Sequence, residues 1–149
     1  EMDDFSVKPG VPNMYGAVGN EKNAIAPGKR MLSSMTPTIV LKNKKTFMVT
    51  GTPGGTTIPS SVFQTIVNVI DFKMSAEDAV NKPKFHHQWL PDMIFAEDDF
   101  NDDTVKKLEA MGYSVKKRGK IGRTELIMLN GKTITAVGDK RGDDTAVGY

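Results

Sequence analysis

Cysteine is absent from all 149 residues, which excludes disulfides, thiolate metal sites and a cysteine nucleophile. The absence fits the cytoplasm or a bacterial periplasm and does not separate them. Histidine is nearly absent too, with an adjacent pair, His86 and His87, as its whole complement. Neighbouring strand residues point to opposite faces, so the pair makes a poor metal clamp. Neither a metal nor any other cofactor is expected. No apolar run approaches the roughly 20 residues of a membrane span, and no signal-peptide pattern is visible. An excess of one charge is also missing: 20 basic residues face 18 acidic ones for a net charge of +2. A dedicated nucleic-acid surface would show a concentrated basic face, so a nucleic-acid partner is not expected. The densest basic stretch, Lys116-Lys117-Arg118-Gly119-Lys120 with Arg123, reads as a solvated strand end or loop.

What is present describes a soluble globular chain, 38% hydrophobic and 26% charged, long enough to bury a core. One domain over 1–149 is expected. Residues 1–30 form its loose end, rich in Gly, Pro and Asn, where no regular element fits and a long loop is functional or disordered. Tyr15, between Pro12 and Gly16, is either the tip of a mobile lid or an anchor holding its loop to the surface. The first residue is Glu1, not Met, beside the acidic Asp3-Asp4 pair, which points to a processed product or an excised piece.

Regular patterning begins at Thr36. Thr38-Ile39-Val40-Leu41 reads as a buried strand and 46–51 as its hairpin partner across a polar turn. A helix over 59–72 has Pro59 in its first turn and Val62, Phe63, Ile66, Val67, Val69 and Ile70 at helical spacing. Ser75-Ala76-Glu77-Asp78 resembles a cap for a short helix stopped by Pro83. A third helix over 103–111 presents Val105, Leu108 and Met111 and stops at Gly112. Tyr113-Ser114-Val115 is a short strand, and 125–129 and 133–137 flank an Asn130-Gly131 hairpin turn. Hairpins around a helical middle indicate an α/β layered domain with mostly antiparallel strands.

The most informative stretch is Thr52-Pro53-Gly54-Gly55-Thr56-Thr57, where a strand breaks on two glycines at a helix entrance. Such a turn can leave backbone N–H groups pointing outward at the positive end of the helix dipole. It suits a phosphate, a carboxylate or the oxyanion of an acyl-transfer intermediate. A plain change of chain direction is the alternative.

Four segments taken together resemble one family. They are Met2-Asp3-Asp4-Phe5-Ser6; the run from Lys29 through Ser33-Ser34 to Val40; the Pro53-Gly54-Gly55 turn; and Phe85-His86-His87-Gln88-Trp89-Leu90-Pro91-Asp92. In order and spacing they look like the small subunit of γ-glutamyltranspeptidases, over nearly the whole chain. The resemblance implies an N-terminal-nucleophile hydrolase fold, a four-layer αββα sandwich. It also implies a heterodimer cut from one precursor, in which a newly exposed Thr acts as nucleophile with its own amine as base. Donors would be glutathione or other γ-glutamyl compounds, and acceptors would be water, an amino acid or a dipeptide.

Carried onto this sequence, Gly54 and Gly55 match the oxyanion-hole glycines. Ser33 and Ser34 match the pair that binds the donor's α-carboxylate. Asp4 matches the carboxylate facing its α-ammonium, with Glu1 at an assisting position, and Tyr15 falls in the lid segment. The nucleophilic Thr should lie about forty residues before Glu1, as the resemblance has it, and the carboxylate-binding Arg on the large subunit. The chain by itself is therefore expected to be inactive, with exposed strand edges that favour self-association. Asp139-Lys140-Arg141 departs from the family's frequent Asp-Pro-Arg. His86, His87 and Trp89 read as packing a strand and locking a turn. Within the fold, an acylase or a poly-γ-glutamate transpeptidase is the runner-up; a non-catalytic homologue that only binds amino acids is a third reading. Export to a periplasm or secretion follows from the resemblance alone.

Overall fold

The computed structural model describes residues 2–33 and 35–148, with Asp3 described by its backbone alone. Strands β1 (Thr38–Lys42) and β2 (Lys45–Gly51) form a hairpin. Asn43 and Lys44 both take positive φ at its turn, the geometry that matches strand twist in a two-residue loop. After β2 comes a 3-10 turn (Gly55–Thr57), then helices α1 (Ile58–Ile70) and α2 (Ala76–Asn81). Strands β3 (Phe85–His86) and β4 (Ile94–Glu97), helix α3 (Asp102–Ala110) and strand β5 (Val115–Arg118) follow. Strands β6 (Glu125–Asn130) and β7 (Thr133–Val137) close the chain as a second hairpin.

The strands form a four-stranded antiparallel sheet in the order β1-β2-β6-β7 and a three-stranded sheet in the order β3-β4-β5. In the smaller sheet β4 and β5 are parallel, joined through α3. That parallel pair and the short β3 are absent from the sequence-based expectation. The strand expected at 113–115 starts instead at Val115 and runs through Lys116, Lys117 and Arg118. Alternation explains this: Val115 and Lys117 are half-buried, while Lys116 and Arg118 point to solvent. Residues 1–30 hold two 3-10 turns, Met2–Asp4 and Glu21–Asn23, and two isolated bridges, Ser6 with Ala24 and Pro12 with Val18. They therefore carry more order than expected.

One face of the large sheet meets α1 and α2. Met48 of β2 and Leu126 of β6 are buried against Val69, Ala76, Ala79 and Val80. Burying a Met or Leu side chain stabilises by about 1.5–3 kcal/mol. Ala79, fully buried, lets α2 approach the strands closely. Within α1 the buried stripe is Ile58, Ser61, Val62, Thr65 and Val69. Phe63 and Ile70, expected on the packed face, lie outside it, with Phe63 65% exposed. Polar Ser61 and Thr65 take their place, and the Thr65 hydroxyl donates to the Ser61 carbonyl at 3.0 Å. In α3, Val105 and Leu108 are half-buried but Met111 is 70% exposed. Caps set the helix starts: Ser75 Oγ accepts from Asp78 N and Asn101 Oδ1 from Thr104 N, each worth about 1 kcal/mol. Among the described residues no helix is long and apolar enough to cross a membrane.

The opposite face of the large sheet is also apolar. Ile39, Val49, Ile127 and Ala136 stand opposite one another across the four strands. Ile39 is 64% exposed and Ile134 68%.

A buried ionic knot joins the two sheets. Glu97 ends β4 and is 3% exposed. Its Oε1 accepts from Arg141 Nε at 2.6 Å and Ile121 N at 2.7 Å. Its Oε2 accepts from Arg141 Nη2 at 2.6 Å and Lys84 N at 2.8 Å. Arg141 also donates to Asp139 Oδ1, Val80 O and Lys82 O, so all five of its N–H groups are used. Asp139 Oδ2 accepts from Thr124 N at 2.6 Å and lies 3.6 Å from Lys84 Nζ. Lys140, where the family often has Pro, is exposed, so the departure leaves the knot intact. Burial would raise the Glu97 carboxyl, but its hydrogen bonds from Arg141 and the Ile121 and Lys84 amides hold it below the ordinary range. Burial, aided by the Arg141 cation, lowers Lys84 from 10.5 to about 8, although Asp139 and Glu97 pull the other way.

Two outcomes follow for stability. Arg141→Met strands Glu97 without its cation and leaves Asp139 with Lys84 alone, and should cost about 3–5 kcal/mol in urea unfolding. The conserved charge of Arg141→Lys should recover little, because five directed donors become three. For Lys84 the folded-state pKa lies below the unfolded one, so between pH 8 and 10.5 the unfolded chain binds more protons. Stability contributed by this group therefore rises with pH across that window. The urea midpoint of the native chain should rise there relative to Lys84→Met, and parallel midpoints would refute the assignment.

Candidate active site

β2 ends at Gly51, and the chain leaves the sheet through Thr52-Pro53-Gly54-Gly55 into the 3-10 turn and α1. Gly54 takes φ 149° and Gly55 φ 58°, values that penalise any residue with a Cβ. A Cβ on Gly54 would stand 2.5 Å from Thr57 Oγ1. The turn closes on itself, as Thr57 N and Thr57 Oγ1 both donate to Gly54 O, at 3.1 and 2.8 Å. Among the described residues no acceptor partners the Gly54 or Gly55 amide. The two N–H groups are outside any strand ladder and precede a 13-residue helix. They are available to a developing negative charge.

Tyr15 comes to the same place from the other end of the chain. The Asn13 side-chain oxygen accepts from Tyr15 N at 2.9 Å and Ala17 N at 3.0 Å, and Gly16 N donates to Asn13 O. This tight turn presents Tyr15 at the tip of a loop clasped by the Pro12–Val18 bridge. The Tyr15 ring packs on Gly55 so closely that a Cβ there would lie 2.6 Å from Tyr15 Cδ1. Tyr15 is nonetheless 48% exposed, so it covers the turn from the solvent side.

Asp4 and Leu32 line a common cavity of about 490 Å³, walled by Phe5, Val11 and Asn20. Its neighbour Ser33 is exposed, and Ser33 Oγ accepts from Met35 N at 3.2 Å. That bond uses a lone pair and leaves the hydroxyl proton free to donate. The structure thus brings Tyr15 and Gly55 into contact, and it brings Asp4 and the residue before Ser33 to one cavity. Glu1 and Ser34 lie outside the described residues.

Behind the turn stands the loop before β6. Arg123 N donates to Thr52 Oγ1 at 2.7 Å, and Gly122 lies so close that a Cβ would be 2.8 Å from that hydroxyl and 3.0 Å from Ser61 Oγ. Sequence reasoning missed this buttress, because no local pattern links residues 71 positions apart. It also missed a polar cluster in front. His86 is buried with Nδ1 2.8 Å from Ser60 Oγ and Nε2 3.0 Å from Gln88 Oε1. Thr56 Oγ1 donates to the same Gln88 oxygen at 2.8 Å. The expectation that these histidines lock a turn fits His86. Trp89, expected to pack, is 69% exposed.

Superposition on solved γ-glutamyltranspeptidases gives the chain an N-terminal-nucleophile hydrolase fold, here as part of its sandwich. The family model described as Gamma-glutamyltranspeptidase matches residues 1–149, and the chain belongs to that family. It is 50% identical to the glutathione hydrolase proenzyme of Escherichia coli over 151 aligned residues, covering 100% of this chain and 26% of that relative. The chain thus spans about a quarter of the length of that curated relative. The structure of a T380A mutant of the Helicobacter pylori gamma-glutamyltranspeptidase superposes with a TM-score of 0.90 at 46% identity, covering 95% of this chain and 79% of that one. The transpeptidase CapD of Bacillus anthracis superposes less well, with a TM-score of 0.70 at 25% identity, covering 92% and 87%.

Proposed function

We propose that this chain is the C-terminal portion of the small subunit of a γ-glutamyltransferase/glutathione hydrolase, acting with a large subunit cut from the same precursor. The observation that carries the reading is the pair of unpartnered Gly54 and Gly55 amides beneath the Tyr15 ring. Attack on a γ-glutamyl amide turns its carbonyl oxygen into an alkoxide. Two fixed N–H donors at the positive end of a helix stabilise that charge without reorganising. The resemblance assigns the attack to a Thr with its own amine as base, about forty residues before Glu1.

The donor's head group is zwitterionic, and the surrounding residues suit both charges. Asp4, assisted by Glu1, takes the α-ammonium; Ser33 and Ser34 donate to the α-carboxylate. Tyr15 closes over the acyl group to limit water and opens for the acceptor, an amino acid, a dipeptide or water itself. Self-cleavage of a precursor, and a periplasmic or secreted location, belong to the same proposal; the word proenzyme in the name of the Escherichia coli relative supports the first. The 50% identity to a glutathione hydrolase supports glutathione-like donors.

The test is expression of the full-length precursor. Two polypeptides should appear by self-cleavage, with release of aniline from a γ-glutamyl anilide; loss of both features would sink the reading. Within that enzyme, Gly55→Ala adds a Cβ at positive φ against the Tyr15 ring. It should lower kcat by about 10²–10³-fold. Asp4→Asn should instead mainly raise KM for glutathione, and little for a des-amino glutaryl amide.

A further inference from the structure

We propose that Gln88 is a positioning residue that holds the Gly54–Gly55 turn and the Tyr15 loop in register, its amide oriented by His86. The catalytic consequence rests on the oxyanion reading of that turn; the structural coupling does not.

The hydrogen bonds around Gln88 fix which of its neighbours donate. Gln88 Nε2 donates to Leu90 O at 3.1 Å, which makes the other amide atom an oxygen and a pure acceptor. Both neighbours of that oxygen must therefore donate. Thr56 supplies its hydroxyl at 2.8 Å and His86 supplies Nε2–H at 3.0 Å. Burial lowers the His86 pKa, with Arg118 and His87 adding to it and the Gln88 bond opposing. On the ring's other side Nδ1 meets Ser60 Oγ of α1 at 2.8 Å, and that hydroxyl also lies 3.0 Å from Thr57 O, so His86 ties the Gln88 amide to the first turn of the helix. A tautomer with Nε2 bare would set two acceptors face to face, so Nε2 carries a proton.

The geometry gives the chain a purpose beyond packing β3. Thr56 directly follows Gly55, so its hydroxyl fixes the residue that ends the turn. Gly16, next to Tyr15, faces the same amide, since a Cβ there would be 3.5 Å from Gln88 Nε2. One side chain therefore bonds the turn through Thr56 and stands before the loop tip at Gly16, while the Tyr15 ring rests on Gly55 and links the two segments. The strap carrying Gln88 is itself pinned to α1. Gln64 Nε2 donates to Phe85 O at 2.7 Å, and Phe85 N donates to Gln64 Oε1 at 3.1 Å. Removing the Gln88 oxygen strands two donors and frees both segments together.

The experiment compares hydrogen exchange, resolved by peptide, in the full-length protein and three variants. Gln88→Met keeps the volume and removes the oxygen; exchange over 52–57 and over 13–17 should quicken by about tenfold, the loss of roughly one hydrogen bond. Gln88→Glu keeps an acceptor for Thr56 and His86 and should restore near-native exchange in the turn. Thr56→Val cuts one link and should loosen 52–57 while sparing 13–17; it also serves if Gln88→Met does not fold. On a γ-glutamyl anilide, Gln88→Met should lower kcat by about 10–100-fold with KM within about twofold, the mark of misplaced transition-state donors. Native exchange over 52–57 in both Gln88→Met and Thr56→Val overturns the proposal. A wild-type protein that releases no anilide overturns the oxyanion reading instead, and the exchange comparison still decides the coupling.

Discussion

The placement of the turn depends on a buried ionic knot well away from it. Arg141 uses its whole donor fork on Glu97, Asp139 and the carbonyls of Val80 and Lys82. Those partners come from β4, the segment after β7, and the end of α2. Taking such charges out of water is costly, and the cost is offset only when every lone pair and proton finds a partner. Here the remaining carboxylate lone pairs accept from Ile121 N and Thr124 N. Both amides belong to the loop before β6, so the knot fixes that loop. The loop in turn meets Thr52 through Arg123 N. A rigid line thus runs from a buried arginine to the residue three positions before Gly55. A site that must hold two amides still while charge develops benefits from support of this kind.

The front of the turn has a different character. Tyr15, Thr56 and Gln88 are half exposed, with His86 buried behind them, and they join by single hydrogen bonds and ring contact. Such contacts open at lower free energy than a core network does. Rigidity behind and looseness in front suit the proposed acyl-transfer turn, whose amides would stay fixed while the cover yields to an incoming acceptor.

Much of this was legible in the sequence because its signals are local. Pro59 and Ser75 marked helix starts within a residue of where α1 and α2 begin, and the Asn130-Gly131 turn marked the β6–β7 hairpin. Gly54-Gly55 stood out because only glycine suits positive φ in a tight corner. The illegible parts are non-local. β3 is two residues long, too short for any periodicity, and β4 pairs in parallel with β5 only after a helix intervenes. Lys84, Glu97, Asp139 and Arg141 look like four ordinary surface charges in one dimension; their burial exists because the fold collects them. Phe63 misled for the converse reason, since an apolar residue at helical spacing need not face the helix's own core. Asp4 and Ser33 were singled out by the resemblance alone, since no physical pattern marks them.

The large sheet makes a last argument about what surrounds this chain. An antiparallel sheet with one solvated face alternates apolar and polar residues along each strand. β1, β2, β6 and β7 break that rule, because Ile39, Leu41, Val49, Ile127 and Ile134 continue the apolar character onto the open side. Ile39, Leu41 and Ile134 are each more than 60% exposed. Scattered apolar side chains need no explanation, but a patch in cross-strand register does. Sheets stack face to face at about 10 Å with interdigitating side chains, and a sandwich whose two middle layers are sheets supplies such a neighbour. The helices on one side are already satisfied by Met48 and Leu126. The other side presents apolar side chains in cross-strand register, the arrangement that sheet-on-sheet packing uses.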